Sequence, residues 1–329
     1  MSQSTRDAVP EAIKLLELNG KGGAKEFSPA EHGQNEASDS MLWVHVDFSE
    51  AEGVNWLRHD EALDDTIVSA LVEDDSRPRT LLTDCGVLTI LRGINFNPGE
   101  AAEDMISVRI WVEENRVVTA SRRHLKTIND IRDQLNGNRG PRSPQTLFIE
   151  IVDRLEYYVG EFIERIEETL ETVESDVNAS ITVVKNSPFS VLRRQTARIR
   201  RYLSPQRDAL EKIARSSQGL FDQDQLFELR EHVNRFTLLL EDLDLIRERA
   251  IVAQEEFLGN LAHEQNNRMF VLSIVAAIFL PLSFLTGLMG MNVAGLPGTV
   301  NDGAFNLLVV LMALISVMIM AIFKIKKWF

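Results

Sequence analysis

Two stretches near the C-terminus break the alternation of polar and apolar positions that marks the rest of the chain. Residues 269–288 and 305–323 are apolar on every side, and between Met269 and Phe323 the one formally charged residue is Asp302. Each stretch has about the 20 residues that a helix needs to cross roughly 30 Å of hydrocarbon. Neither shows the polar face that an ordinary surface helix keeps toward water. The pattern predicts a membrane hairpin over residues 269–329, with Gly290-Met291-Asn292 and a turn-rich loop between the spans.

Upstream the period changes. Residues 41–48, 79–83, 87–94, 105–112 and 116–120 read as strands, punctuated by Asp84-Cys85-Gly86, Asn97-Pro98-Gly99 and Glu113-Glu114-Asn115. Helices are expected at 50–58, 60–71 and 122–136, which makes residues 41–143 an α+β domain closing in the Gly/Pro/Arg-rich stretch 137–144. Residues 1–40 read as a polar N-terminal segment with a short helix at 10–18 and no signal peptide.

Residues 144–268 form a long-helix or stalk region. Phe148, Ile151, Leu155, Val159, Phe162, Ile166, Leu170, Val173 and Val177 recur at three- and four-residue steps, one face of a long amphipathic helix. A second helix is expected over 189–214, broken or kinked at Ser204-Pro205, because proline has no amide donor. From Asp222 to Pro281 nothing stops a helix, and Leu226, Leu229, Val233, Phe236, Leu240 and Leu243 form a near-heptad seam. A helix continuous to Gly290 would be roughly 100 Å long and would join the N-terminal domain to the membrane.

Charge adds orientation. Arg268 precedes the first span and Lys324, Lys326 and Lys327 follow the second, with Trp328 and Phe329 as interfacial anchors. Basic flanks mark the cytoplasmic side, so both termini are expected in the cytoplasm of a bacterial-type inner membrane, and the loop outside. Residues 269–329 carry three lysines and one aspartate, so of the net charge of −14 on the chain, −16 falls on residues 1–268. Such a body is a poor partner for nucleic acid. Its carboxylates either concentrate cations or simply keep it soluble. The lone Cys85 excludes an internal disulfide and any multi-cysteine metal site.

The arrangement of Gly290-Met291-Asn292 at the outer end of a span carrying Pro281-Leu282-Ser283-Phe284, with a second span ending Lys-Ile-Lys-Lys-Trp-Phe, resembles the CorA superfamily of divalent-cation transporters. Gly295-Leu296-Pro297-Gly298 resembles the ZntB-type zinc transporter branch, while magnesium channels of the family more often carry an acidic Met-Pro-Glu type loop there. The resemblance covers essentially the whole chain. It implies a funnel-shaped homopentamer of α+β cytoplasmic domains, long helical stalks and two C-terminal transmembrane helices per chain. Matched residue by residue, it implies pore-lining roles for Asn266, Met269, Leu272, Leu280, Ser283 and Asn292.

The residues themselves support parts of this. Two spans cannot enclose a water-filled path, so conduction requires oligomerisation. A ring of Asn292 carbonyls would accept hydrogen bonds from the waters of a small divalent ion without stripping them; the plainer role is a helix cap. Gly290 permits close approach, and Met291 is expected to pack and hold the turn. Met269 and Leu272 either form dewetting constrictions or pack against neighbours. Ser283 serves either the ion's water or the backbone freed by Pro281.

Metal candidates are sparse. The histidines at 32, 45, 59, 124, 232 and 263 show no ligand spacing. His263, with Asn266 or Glu255 and Glu256, becomes a ring on oligomerisation or stays a solvated side chain, and Asp302 is either an acidic ring or a turn residue. Neither span holds an ionisable group, so any proton coupling would use the loop, the cytoplasmic acids or a co-permeating hydronium. No glycine-rich nucleotide loop, catalytic triad or bound cofactor is expected, and no enzyme. The expected cargo is Zn2+. The rivals are a Mg2+ (Co2+/Ni2+) channel gated by cytoplasmic divalent ions and a two-span signalling or scaffold protein.

Overall fold

The computed structural model describes residues 12–27, 40–60, 62–74, 77–178, 188–215, 219–293, 296 and 303–326. The chain divides into two compact units, Met1–Gln254 and Glu255–Phe329.

The first unit is built on a seven-stranded sheet. Its strands are β1 Ile13–Leu18, β2 Ala24–Phe27, β3 Met41–Asp47, β4 Arg79–Leu82, β5 Val87–Gly93, β6 Ile106–Val112 and β7 Arg116–Ser121, in the order β2-β1-β3-β7-β6-β5-β4. Every pairing is antiparallel except β3 with β7. That parallel step needs a crossover, and it is supplied by α1 (Ala51–His59), α2 (Asp65–Val72) and the β4–β6 meander.

Alternating strand residues divide between two cores. Leu42, Val44, Val46, Trp111, Val118 and Ala120 face the layer made by α1 and α2. Trp43, Val108, Ile110, Val112 and Val117 face the larger core, formed with α3 (Lys126–Asn136), α4 (Pro144–Asn178), α5 (Pro188–Ala214) and the start of α6 (Gln223–Met289). The helix α4 lies directly on β5, and Gly93 permits it: a Cβ there would come within 2.6 Å of Leu155 Cδ2.

Several expected elements differ in the structure. The helix expected at 10–18 is strand β1, and β2 beside it was not foreseen at all. Six-residue β1 pairs in full register with β3, burying Ile13, Leu15, Leu16 and Leu18. A run this short carries no decisive period, so pairing with a distant strand decides its state. Its turn is built by Asn19, whose Oδ1 accepts from the amides of Lys21 and Gly23, while Gly20 and Gly22 take positive φ. Another difference is in α5, which runs through Pro205 as one helix. The Arg201 carbonyl loses its helical donor there, but Leu203, Gln206, Ala209 and Leu210 are all buried and hold the axis together.

The start of α2 moves to Asp65, where the Asp64 carboxylate accepts from the Thr66 amide at 2.7 Å. The seam on α6 buries Leu226, Leu229, Phe236, Leu240 and Leu243, with Val233 partly covered. It also buries His232, which pairs with Glu156 on α4 at 2.5 Å.

In the second unit the end of α6 and helix α7 (Ala304–Ile325) are both long and apolar enough to cross a membrane. The helix α6 is 67 residues long and is assigned without interruption through Pro281. Asp302, Lys327, Trp328, Phe329 and most of the Gly295–Gly298 motif lie outside the described residues.

Candidate functional site

A helix turns about 100° per residue. On α6 this places Asn266, Met269, Leu272, Leu280, Ser283 and Gly287 within an arc of roughly 120°. The arc is open: Met269, Leu272 and Leu280 are 66%, 69% and 73% exposed. A neighbouring side of the same helix, about 120° round, through Phe270, Ile274, Ala277, Pro281 and Leu285, is partly covered. Helix α7 carries one matching stripe, through Leu308, Met312, Ile315, Ile319 and Phe323. Each span thus has one partly covered stripe, and the face holding the proposed ladder is exposed in the single chain.

The ladder residues do not meet within one chain. From Asn266 to Ser283 the helix climbs about 25 Å at 1.5 Å per residue, so each side chain occupies its own level. A ring at any level takes further copies of the chain. Glu255 continues the same face, and His263 sits about 60° round from Asn266; both are exposed. Among the described residues no three His, Cys, Asp or Glu side chains come together to hold a metal ion. Near the start of the ladder, Arg268 pairs with Glu264 one turn back.

Hydroxyls inside the spans are mostly tied to backbone. Ser273 Oγ donates to the Met269 carbonyl at 2.9 Å, Thr286 Oγ1 to Ser283 at 3.0 Å and Ser316 Oγ to Met312 at 3.0 Å. Such bonds are what hydrocarbon demands of a polar group. Among the described residues Ser283 Oγ makes no such bond. It stands on the open face, two residues after Pro281, whose missing amide leaves the Ala277 carbonyl without its helical donor.

At the C-terminal end of α6, the Gly290 amide donates to the Thr286 carbonyl at 2.9 Å and closes the helix. A Cβ on Gly290 would lie 3.0 Å from that same carbonyl. Asn292 follows in non-helical backbone with its side chain exposed. Met291, expected to pack, is 45% exposed among the described residues. Thr286 was passed over in the sequence, although it holds both the Gly290 amide and the Ser283 carbonyl. A hydroxyl one turn before a helix-ending glycine was the available signal.

The CorA-like Mg2+ transporter protein family matches residues 38–327. The divalent cation transporter CmaX of Pseudomonas aeruginosa is 33% identical over 324 residues, covering 94% of this chain and 95% of that one. The zinc transport protein ZntB of Yersinia enterocolitica is 28% identical over 320 residues, with 97% of each chain covered. The solved structure of full-length CmaX superposes with a TM-score of 0.84 at 32% identity, covering 98% of this chain and all of that one. The complete CorA magnesium transporter of Methanocaldococcus jannaschii, at 17% identity, shares the fold with a TM-score of 0.79 over 96% of this chain and 98% of that one. A long helix ending in an apolar span, an α/β unit before it and a second apolar helix after it therefore place this chain in the CorA-like family of divalent-cation transporters.

Proposed function

We propose that the chain assembles as a homopentamer in the inner membrane, both termini cytoplasmic, and conducts Zn2+ along a central path lined by the first-span face of each copy. The observation that carries this reading is the uncharged ladder from Asn266 to Ser283 on an exposed side of α6, with Asn292 just beyond its end. Ions would enter past the Asn292 ring still hydrated, since a small divalent ion gives up its waters reluctantly. Neutral carbonyls hold such an ion weakly enough to let it go on. Met269 and Leu272 then narrow the path with apolar side chains that can exclude water.

Zinc as cargo is supported by the ZntB relative, which matches 97% of this chain, and by the loop sequence Gly295-Leu296-Pro297-Gly298. The family's own description favours the second reading, a Mg2+ channel of the same architecture.

The test is flux of Zn2+ and Mg2+ into proteoliposomes holding the purified protein, with and without a pH gradient, beside Asn292→Ala. Zinc flux that falls at least tenfold in the variant, with the oligomer intact, is the expected result. A response to the gradient would add proton coupling, and gradient-independent Mg2+ flux would move the assignment to the second reading. Wild-type flux in Asn292→Ala would remove Asn292 as the filter, and no flux at all from an intact oligomer would favour a signalling or scaffold role.

A further inference from the structure

The N-terminal unit is strongly acidic, yet residues 193–201 of α5 hold five arginines and no acid. Helical spacing sends Arg198 to Asp104, at 2.6 Å. The other four, Arg193, Arg194, Arg200 and Arg201, line a groove of about 830 Å³ between α5 and α6. Arg247 from α6 and Arg77 ahead of β4 complete it, so six arginines share the groove with two carboxylates, Asp208 and Asp244.

Both carboxylates are already engaged. Asp244 pairs with Arg200, and Asp208 pairs at 2.6 Å with Arg207, which is not one of the residues lining the groove. Arg193 reaches only the neutral Gln254 Oε1, at 3.3 Å, and Arg201 lies over the Tyr202 ring at 5.6 Å. Among the described residues Arg194 and Arg247 have no carboxylate partner. Like charges crowded in a concavity repel one another and focus a positive field into it. An anion relieves that repulsion, and guanidinium forks match phosphate oxygens two at a time.

Size and lining narrow the ligand. The volume is that of a small-molecule site, too large for one phosphate and spread over too many arginines for one. Ala197, Pro205 and Leu243 add apolar surface to the floor. We propose that this groove binds a multiply phosphorylated small anion of the nucleotide or polyphosphate class. Because Arg247 and Asp244 belong to α6, the ligand would grip the same helix that continues into the first span.

The experiment uses full-length protein in detergent and a metal-free buffer containing EDTA, titrated calorimetrically with ATP and with inorganic tripolyphosphate. The expected result is saturable binding, weakened at least tenfold in Arg194→Gln/Arg247→Gln and unchanged in Arg58→Gln/Arg230→Gln, two exposed arginines outside the groove. Arg194→Lys/Arg247→Lys, which keeps the charge and loses the fork, should fall in between and guards against a folding defect in the glutamine variant. ATP binding more tightly than tripolyphosphate assigns a nucleotide, and equal binding assigns a polyphosphate. Failure of either anion to saturate, or equal binding by wild type and the glutamine variant, overturns the proposal. Zinc flux plays no part in the readout, so the outcome is independent of the cargo assigned above.

Discussion

His45 stands on β3 directly opposite Lys14 of β1, and its Nδ1 lies 2.9 Å from Thr119 Oγ1, which also accepts from Trp43 Nε1 at 2.9 Å. Burial, and after it the charge on Lys14, push His45 from 6.5 down to about 4. The folded state therefore binds the proton less readily than the unfolded one. The stability this contributes is fully present above pH 6.5 and is lost as pH falls from there toward about 4. The loss is on the order of 3 kcal/mol at most, visible as a falling thermal midpoint in tryptophan fluorescence. His45→Gln should flatten that acid slope; an unchanged slope would acquit His45. In Gly290→Ala the new Cβ crowds the Thr286 carbonyl at 3.0 Å, at a cost of about 1 kcal/mol. Flux should fall several-fold while the oligomer's mass is unchanged. Neither effect was visible in the sequence: His45 read as one more position of an alternating strand, and Gly290 as a motif residue without a stated clash.

Among the elements, α4 and α6 show how the first unit is tied. Arg249 of α6 forks onto Glu174 of α4, at 3.1 and 2.7 Å, and reaches Glu167 at 3.0 Å. The Arg249 and Glu174 side chains are both just under a third exposed, so screening limits the pair's worth to about 1 kcal/mol. A double-mutant cycle with Arg249→Ala and Glu174→Ala, read by thermal denaturation, should return a coupling of that size, and additive losses would argue against it. The hydrophobic stripes of both helices were legible because a long amphipathic helix repeats its period many times. The Arg249 fork was not, since no period pairs residue 174 with residue 249. Strand β1 failed for a related reason: its partner β3 begins more than twenty residues later, and six residues alone do not choose between helix and strand.

For the molecule as a whole, the face assignment on α6 is open to direct attack. In a Cys85→Ser background, Leu280→Cys should cross-link between copies with a short bis-thiol reagent, because its face is bare in the single chain. Ile274→Cys, on the stripe partly covered in the single chain, should cross-link far less. Equal yields, or the reverse order, would place the ladder elsewhere. Each copy then carries one thiol, so the covalent product is a dimer, and the mass of the intact oligomer would count the copies.

What the amino-acid sequence determined by itself was whatever depends on composition and on long repetition. The apolar spans could be read because twenty uncharged residues have no other stable home, and the long helices because their stripes recur turn after turn. The outer motif was legible as a resemblance. Tertiary structure decided what depends on distant partners: the state of residues 13–18, the burial of His232 against Glu156, the continuity of α5 through Pro205, and the arginine groove. Each of these is settled by side chains far apart in the chain, whose mutual packing and charge outweigh the local preference of any short segment.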